Sequence, residues 1–250
     1  MGRVLSACAI FVCLAATLIA QRGGPPQPVR SPQASAPFDP TGYWVAIVSD
    51  EWRYRMLTPP KGNFDYVPLN AEGQRVARAW DPDKDEAAGE QCRAYGAGGI
   101  MRLPVRLHIT WADERTLRMD IDAGTQTRVL HFGGTAPANT ENAWQGYSVA
   151  DWQIPGGGRG APQPARFGQL KIVTNHLRPG YLRKNGLPYG AGAVLTEYVQ
   201  HLKDDDGLEY IAITSMLDDA QYLQQPWVRT SQYRKQPDAK GWNPSPCTAR

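Results

Sequence analysis

The sequence predicts a mostly β protein built as a single antiparallel β-barrel of about nine strands with one or two short helices. Three observations carry this. Segments of strand length recur from residue 41 to residue 233, with apolar and polar residues alternating. No alternation of strands with helices interrupts them, which argues against a parallel α/β sheet. The 25 Gly and 21 Pro supply the turns that short strands need, and 8 Trp with 11 Tyr suit β-structure.

The chain of 250 residues divides into three parts. Residues 1–20 read as a secretory signal: Arg3 is the basic start, Val4–Ala20 carries no charge, and Ala20 offers a small-residue cleavage site. Leu5-Ser6-Ala7-Cys8 has the form of a lipoprotein box but comes too early to follow an apolar region. Residues 21–37 form a proline-rich linker expected to be disordered. Residues 38–250 form the one folded domain.

Cleavage at Ala20 lowers the formal charge from +3 to +2, since it removes Arg3 and no acid. That balance, without a basic block interleaved with aromatics, excludes a nucleic-acid partner. The mature chain has no stretch apolar enough to span a membrane. It keeps two cysteines, Cys92 and Cys247, which in an oxidising compartment pair as one disulfide. The expected location is periplasmic or secreted.

The folded part starts with a strand in Thr41–Trp52. Asn70–Trp80 is a helix with Asn70 as N-cap and Val76, Ala79 and Trp80 on one face. The acidic run after it reads as a solvated loop. Strands follow at 103–111, 117–122, 125–132, 146–154, 170–176, 193–202, 208–217 and 227–233. Leu107 and Ile109 face the core, while Arg102, Arg106 and His108 read as the exposed side. No dinucleotide, phosphate-loop, zinc-protease or serine-nucleophile motif occurs, and the four histidines lack metal-ligand spacing. Neither a cofactor nor a metal is expected.

Gly42-Tyr43-Trp44 resembles the Gly-x-Trp signature of the lipocalin/calycin superfamily, where the tryptophan plugs the closed end of the barrel. That resemblance implies a late arginine over Trp44, with Arg229 or Arg234 as candidates. A longer stretch resembles an uncharacterised family of exported bacterial proteins. It runs through Trp144-Gln-Gly-Tyr-Ser-Val-Ala-Asp-Trp152, His176-Leu-Arg-Pro-Gly-Tyr-Leu-Arg-Lys-Asn-Gly186, Leu195-Thr-Glu-Tyr198 and Tyr222-Leu-Gln-Gln-Pro226. This family has no settled activity, so it implies an envelope β-barrel and no reaction.

His176–Gly186 is the most unusual stretch, and it reads as a rim turn crowded with Arg178, Tyr181, Arg183, Lys184 and Asn185. On the next strand Leu195 and Val199 face the core, which carries Glu197 and His201 inward with them. A buried Glu needs a partner, and Arg128, Arg183 or His176 is expected to supply it. Glu197 and His201 lie about 13 Å apart along a strand, too far to share a metal.

Two functions fit these parts. The first is a barrel binding a small apolar or aromatic ligand with an acidic or carbonyl handle, through Arg128, Asn185, His201 and Trp44. The second is a cofactor-independent lyase, isomerase or hydrolase with His176 or Glu197 as acid/base and Arg183, Tyr181 or Tyr198 stabilising an oxyanion. A structural envelope role is the third reading. The enzyme requires His176, Glu197 and Arg183 to converge.

Overall fold

The computed structural model describes residues 30–155 and 167–250. The expected signal peptide and residues 21–29 of the linker lie outside them. So does most of the Gly/Pro-rich loop after Ile154.

Nine strands close into one barrel. Eight follow the expected segments within a few residues: β2 Arg106–Asp113, β3 Thr116–Ile121, β4 Gln126–Phe132, β5 Tyr147–Gln153, β6 Gln169–Asn175, β9 Val194–Lys203, β10 Glu209–Asp218 and β11 Trp227–Gln236. β1 is shorter than expected, Gly42–Ile47, and pairs with both β2 and β11 to seal the barrel. A second, two-stranded sheet of β7 Gly180–Arg183 and β8 Leu187–Tyr189 occupies the stretch read as a rim turn.

The barrel is mixed, which corrects the purely antiparallel expectation. β4 and β5 run parallel, with Leu130 opposite Ser148 and Phe132 opposite Ala150. Residues 133–146 connect them, and that length lets the chain return to its starting end before pairing again.

Period-two alternation fills the interior. Leu107 and Ile109, Leu117, Met119 and Ile121, Leu170 and Ile172, and Ile211 and Ile213 all point inward and are almost fully buried. Trp44 and Tyr233 join them. The lumen is therefore packed with the barrel's own side chains.

One end is closed by aromatics. Phe38 meets Trp152 edge-on at 5.2 Å, and Phe132 lies against both Trp111 and Trp152 at 5.4 Å. Trp44 is wholly buried and donates Nε1–H to the Pro40 carbonyl. The cation over its ring is Lys235, at 5.4 Å, rather than Arg229 or Arg234. Lys235 is the direct neighbour of Trp44 across the β1–β11 pair. Residues 31–37, expected as linker, lie against this end, with the Pro32 carbonyl accepting Trp152 Nε1–H.

The other end carries a cap made from the β1–β2 connection. It holds α1 Trp52–Arg55, α2 Ala71–Ala79 and α3 Pro82–Ala87. α2 matches the expected helix, and Asn70 caps it by accepting Gly73 N–H at 2.8 Å. Its buried face is Gly73 and Ala77 rather than Val76, Ala79 and Trp80. A Cβ at Gly73 would sit 2.5 Å from the Tyr222 carbonyl oxygen, so this face docks backbone against backbone.

α3 corrects the reading of the acidic run as solvated loop. Asp85 is buried there and accepts from Tyr181 Oη and Arg93 Nη1, both at 2.8 Å. Cys92 and Cys247 are bonded, with their Cα atoms 5.1 Å apart, which fixes the C-terminal tail to the cap.

Candidate binding cleft between cap and barrel rim

The rim and the cap do not meet completely. A cleft of about 230 Å³ opens between them, outside the lumen. One wall is α1 with residues 56–59; the other is Ala94, Tyr95, Leu103, Pro104 and Ala123. Trp227, Leu182, Arg183 and Lys184 complete it.

The hairpin of β7 and β8 sets the most unusual group in place. Every residue of both strands is buried. Gly99, in the cleft floor, allows this packing, because a Cβ there would lie 2.6 Å from the Tyr181 carbonyl oxygen. Arg183 ends β7 at 6% exposure. Its guanidinium lies under the Tyr54 ring, 4.6 Å from the centroid. Neither Nη1 nor Nη2 has a hydrogen-bond partner among the described residues. Burial, opposed by Glu51 and reinforced by Arg229 and Arg102, pulls its pKa down to about 10.

Around Arg183 the cations are partnered. Arg55 donates to the carbonyls of Arg102 and Ile47 and to Asp50 Oδ1, leaving Nη2 unpartnered among the described residues. Arg102 bonds Glu51 Oε2 at 2.5 Å and the Thr230 carbonyl at 3.1 Å. Arg229 approaches Glu51 Oε1 at 3.3 Å. Burial lowers the pKa of both Arg55 and Arg229, and Arg102 adds to the effect on each. Glu51, held at φ 49°, is thus a shared counter-ion at the start of α1.

The lip is apolar and aromatic. Met56 and Leu57 are mostly exposed. Tyr54 donates its hydroxyl to Asp65 and meets Tyr66 edge-on at 5.7 Å. The loop behind them is held by Asn185, whose Nδ2 donates to the carbonyls of Pro60 and Asn63.

The residues named from sequence fall into separate settings. Glu197 does point inward, as expected, and among the candidate partners Arg128 is the one it meets. Nη1 and Nη2 of Arg128 reach its two carboxylate oxygens at 3.0 and 2.5 Å, with both side chains buried. Burial alone would lower the Arg128 pKa, but the Glu197 charge raises it.

His176 takes a left-handed backbone at φ 53° where β6 ends, and is not part of the cleft lining. Tyr181 is engaged by Asp85 and Arg93. Tyr198 faces outward, half-buried. His201 stacks on Phe38 at 5.3 Å and contacts Glu209, at the aromatic end of the barrel. Asn185 supports the cleft loop instead of facing the cleft, and Trp44 is core.

His176, Glu197 and Arg183 therefore do not form one pocket. The acid/base set is not assembled, because Glu197 spends both oxygens on Arg128 and only Arg183 reaches the cleft.

Sequence reasoning missed Glu51, Tyr54, Arg55 and Arg102. Arg102 carried a usable signal: it sits between Met101 and Leu103, after the tight Gly96-Ala97-Gly98-Gly99 run, and is buried rather than exposed. Among the described residues no cluster of His, Cys, Asp and Glu could hold a metal. No family model, curated protein or solved structure matches this chain.

Proposed function

We propose that this protein binds a small organic anion with an aromatic or apolar body, in the cleft between cap and barrel. The observation that carries the reading is Arg183. A buried guanidinium without hydrogen-bond partners is costly, and an incoming anion supplies the missing acceptors. Tyr54, Met56, Leu57 and Trp227 offer apolar and aromatic surface beside it. Concave sites of this kind, mostly apolar with a few polar anchors, are the usual form of small-molecule pockets. The barrel acts as a rigid frame, and the ligand is received at its rim.

The protein is read as an exported binding or carrier protein. The charge-free Val4–Ala20 run and the Cys92–Cys247 bond support this, since disulfides persist in oxidising compartments. Among the described residues no helix is long and apolar enough to cross a membrane.

Calorimetric titration with aromatic carboxylates and phosphates, beside neutral alcohols of the same carbon skeleton, tests the proposal. The acids should bind wild type, the alcohols should not, and Arg183→Met should lose the acids. Equal binding of the alcohols, or unchanged binding to Arg183→Met, would refute it.

A further inference from the structure

Positive side chains gather at the floor of the cleft. Three guanidiniums, from Arg55, Arg102 and Arg183, line its floor, and Arg229 stands beside them across Glu51. Asp50 and Glu51 pair with Arg55, Arg102 and Arg229, while the exposed Asp65 faces Arg183 without an ion pair. Lys184 lies at the edge and is occupied by the tail, through Thr248 Oγ1 and the Arg250 carbonyl. Arg183 is thus the floor guanidinium that no carboxylate pairs with among the described residues.

The unfilled hydrogen bonds point the same way. Arg183 leaves Nη1 and Nη2 without partners, and Arg55 leaves Nη2. Both residues are more than nine-tenths buried and both line the cleft. The Arg183 fork alone spans the two oxygens of a planar carboxylate. The spare nitrogen of Arg55 then calls for a third oxygen on the same ligand.

Resting on the reading of this cleft as an anion site, we infer that its ligand carries a dianionic tetrahedral head: an organic phosphate monoester or phosphonate. Such a group has three terminal oxygens and about two negative charges at neutral pH. Its three oxygens match the three unpartnered nitrogens, and its charge suits a floor lined by guanidiniums. The ester or phosphonate substituent lies along Tyr54, Met56 and Leu57, the apolar side of the same cleft. Arg102 and Arg229 act from a distance, since Arg102 donates to Glu51 and the Thr230 carbonyl and the Arg229 Nη atoms donate to the carbonyls of Val228 and Tyr66.

The test is calorimetric titration of wild type with phenyl phosphate, phenylphosphonate, phenyl sulfate, benzoate and inorganic phosphate. Phenyl phosphate and phenylphosphonate should bind about tenfold tighter than the singly charged phenyl sulfate and benzoate. Inorganic phosphate should bind more weakly than phenyl phosphate. Arg55→Lys should weaken phenyl phosphate more than benzoate.

Benzoate or phenyl sulfate binding as tightly as phenyl phosphate would overturn the dianion while leaving the anion site intact. Inorganic phosphate matching phenyl phosphate would overturn the organic substituent and make the free anion the ligand. If none of the five binds, the cleft is not an anion site and both readings fall. Should Arg55→Lys fail to fold, the wild-type ranking decides alone.

Discussion

Arg128 and Glu197 meet fork to fork inside the barrel, each almost wholly shielded from solvent. Thr174 adds a third contact, its Oγ1 accepting from Arg128 Nη2 at 3.3 Å. The pair joins β4 to β9 across the lumen. Two charges so deep are stable only together.

Glu197→Gln should therefore cost about 3–5 kcal/mol, because it leaves Arg128 charged and poorly partnered. Replacing both, as Arg128→Met with Glu197→Leu, should recover most of that loss. Urea denaturation of the two variants measures the difference. Ligand affinity in the cleft should not change in the double variant, and a large change would link the lumen to the site.

Arg183 makes the opposite prediction. Arg183→Met keeps the length of the side chain and removes a buried charge that has no hydrogen-bond partner among the described residues. The variant should be more stable than wild type by about 1–2 kcal/mol while losing anion binding. Thermal melts without ligand check the sign. A lower melting temperature would mean that stacking under Tyr54 outweighs the cost of burial.

Reduction of Cys92–Cys247 should loosen the wall of the cleft. The bond spans a sequence separation of 155. In the chain-entropy model a loop of that size contributes about 4–5 kcal/mol. The tail it holds also bonds Tyr95, through Thr248, and Lys184. Both residues line the cleft. Reduced protein should melt lower and bind the anion more weakly. Equal affinity after reduction would show that the tail is not part of the wall.

The Tyr54–Asp65 contact should break in acid. Hydrogen bonds from Asn63 and then Tyr54 hold the Asp65 carboxyl below its ordinary value. A depressed carboxyl contributes its stabilisation fully above about pH 4 and loses it as pH falls through the folded value. Tyr54 resonances followed by NMR from about pH 5 downward should shift in wild type. The same resonances should stay flat in Asp65→Asn, and a matching shift in that variant would assign the change to another group.

The barrel was readable because alternation is a local signal. Each inward set, such as Leu117, Met119 and Ile121, announces itself within one strand. Glu197 was readable for the same reason, since its neighbours Leu195 and Val199 fixed its face. The β7–β8 hairpin was not. Both strands of this hairpin are buried on both faces and so show no alternation, and the stretch read as a rim turn. The parallel β4–β5 pair was hidden because nothing within either strand states its partner. The cleft was least legible. It joins residues 51–59, 94–104 and 182–184, which only the cap brings together, and Arg183 looked like a partner for Glu197 until Arg128 was seen to fill that role.

The closure between β1 and β11 ties the order of synthesis to the order of folding. β1 can pair with β2 before β11 is made, but its other edge waits for β11. A nascent chain lacking Trp227–Gln236 has β1 and β10 as open edges, with backbone groups free to pair with other molecules. Such distant pairings form slowly compared with hairpins. The growing polypeptide thus stays vulnerable to aggregation until β11 emerges, and a chaperone that shields strand edges would serve it most during that interval.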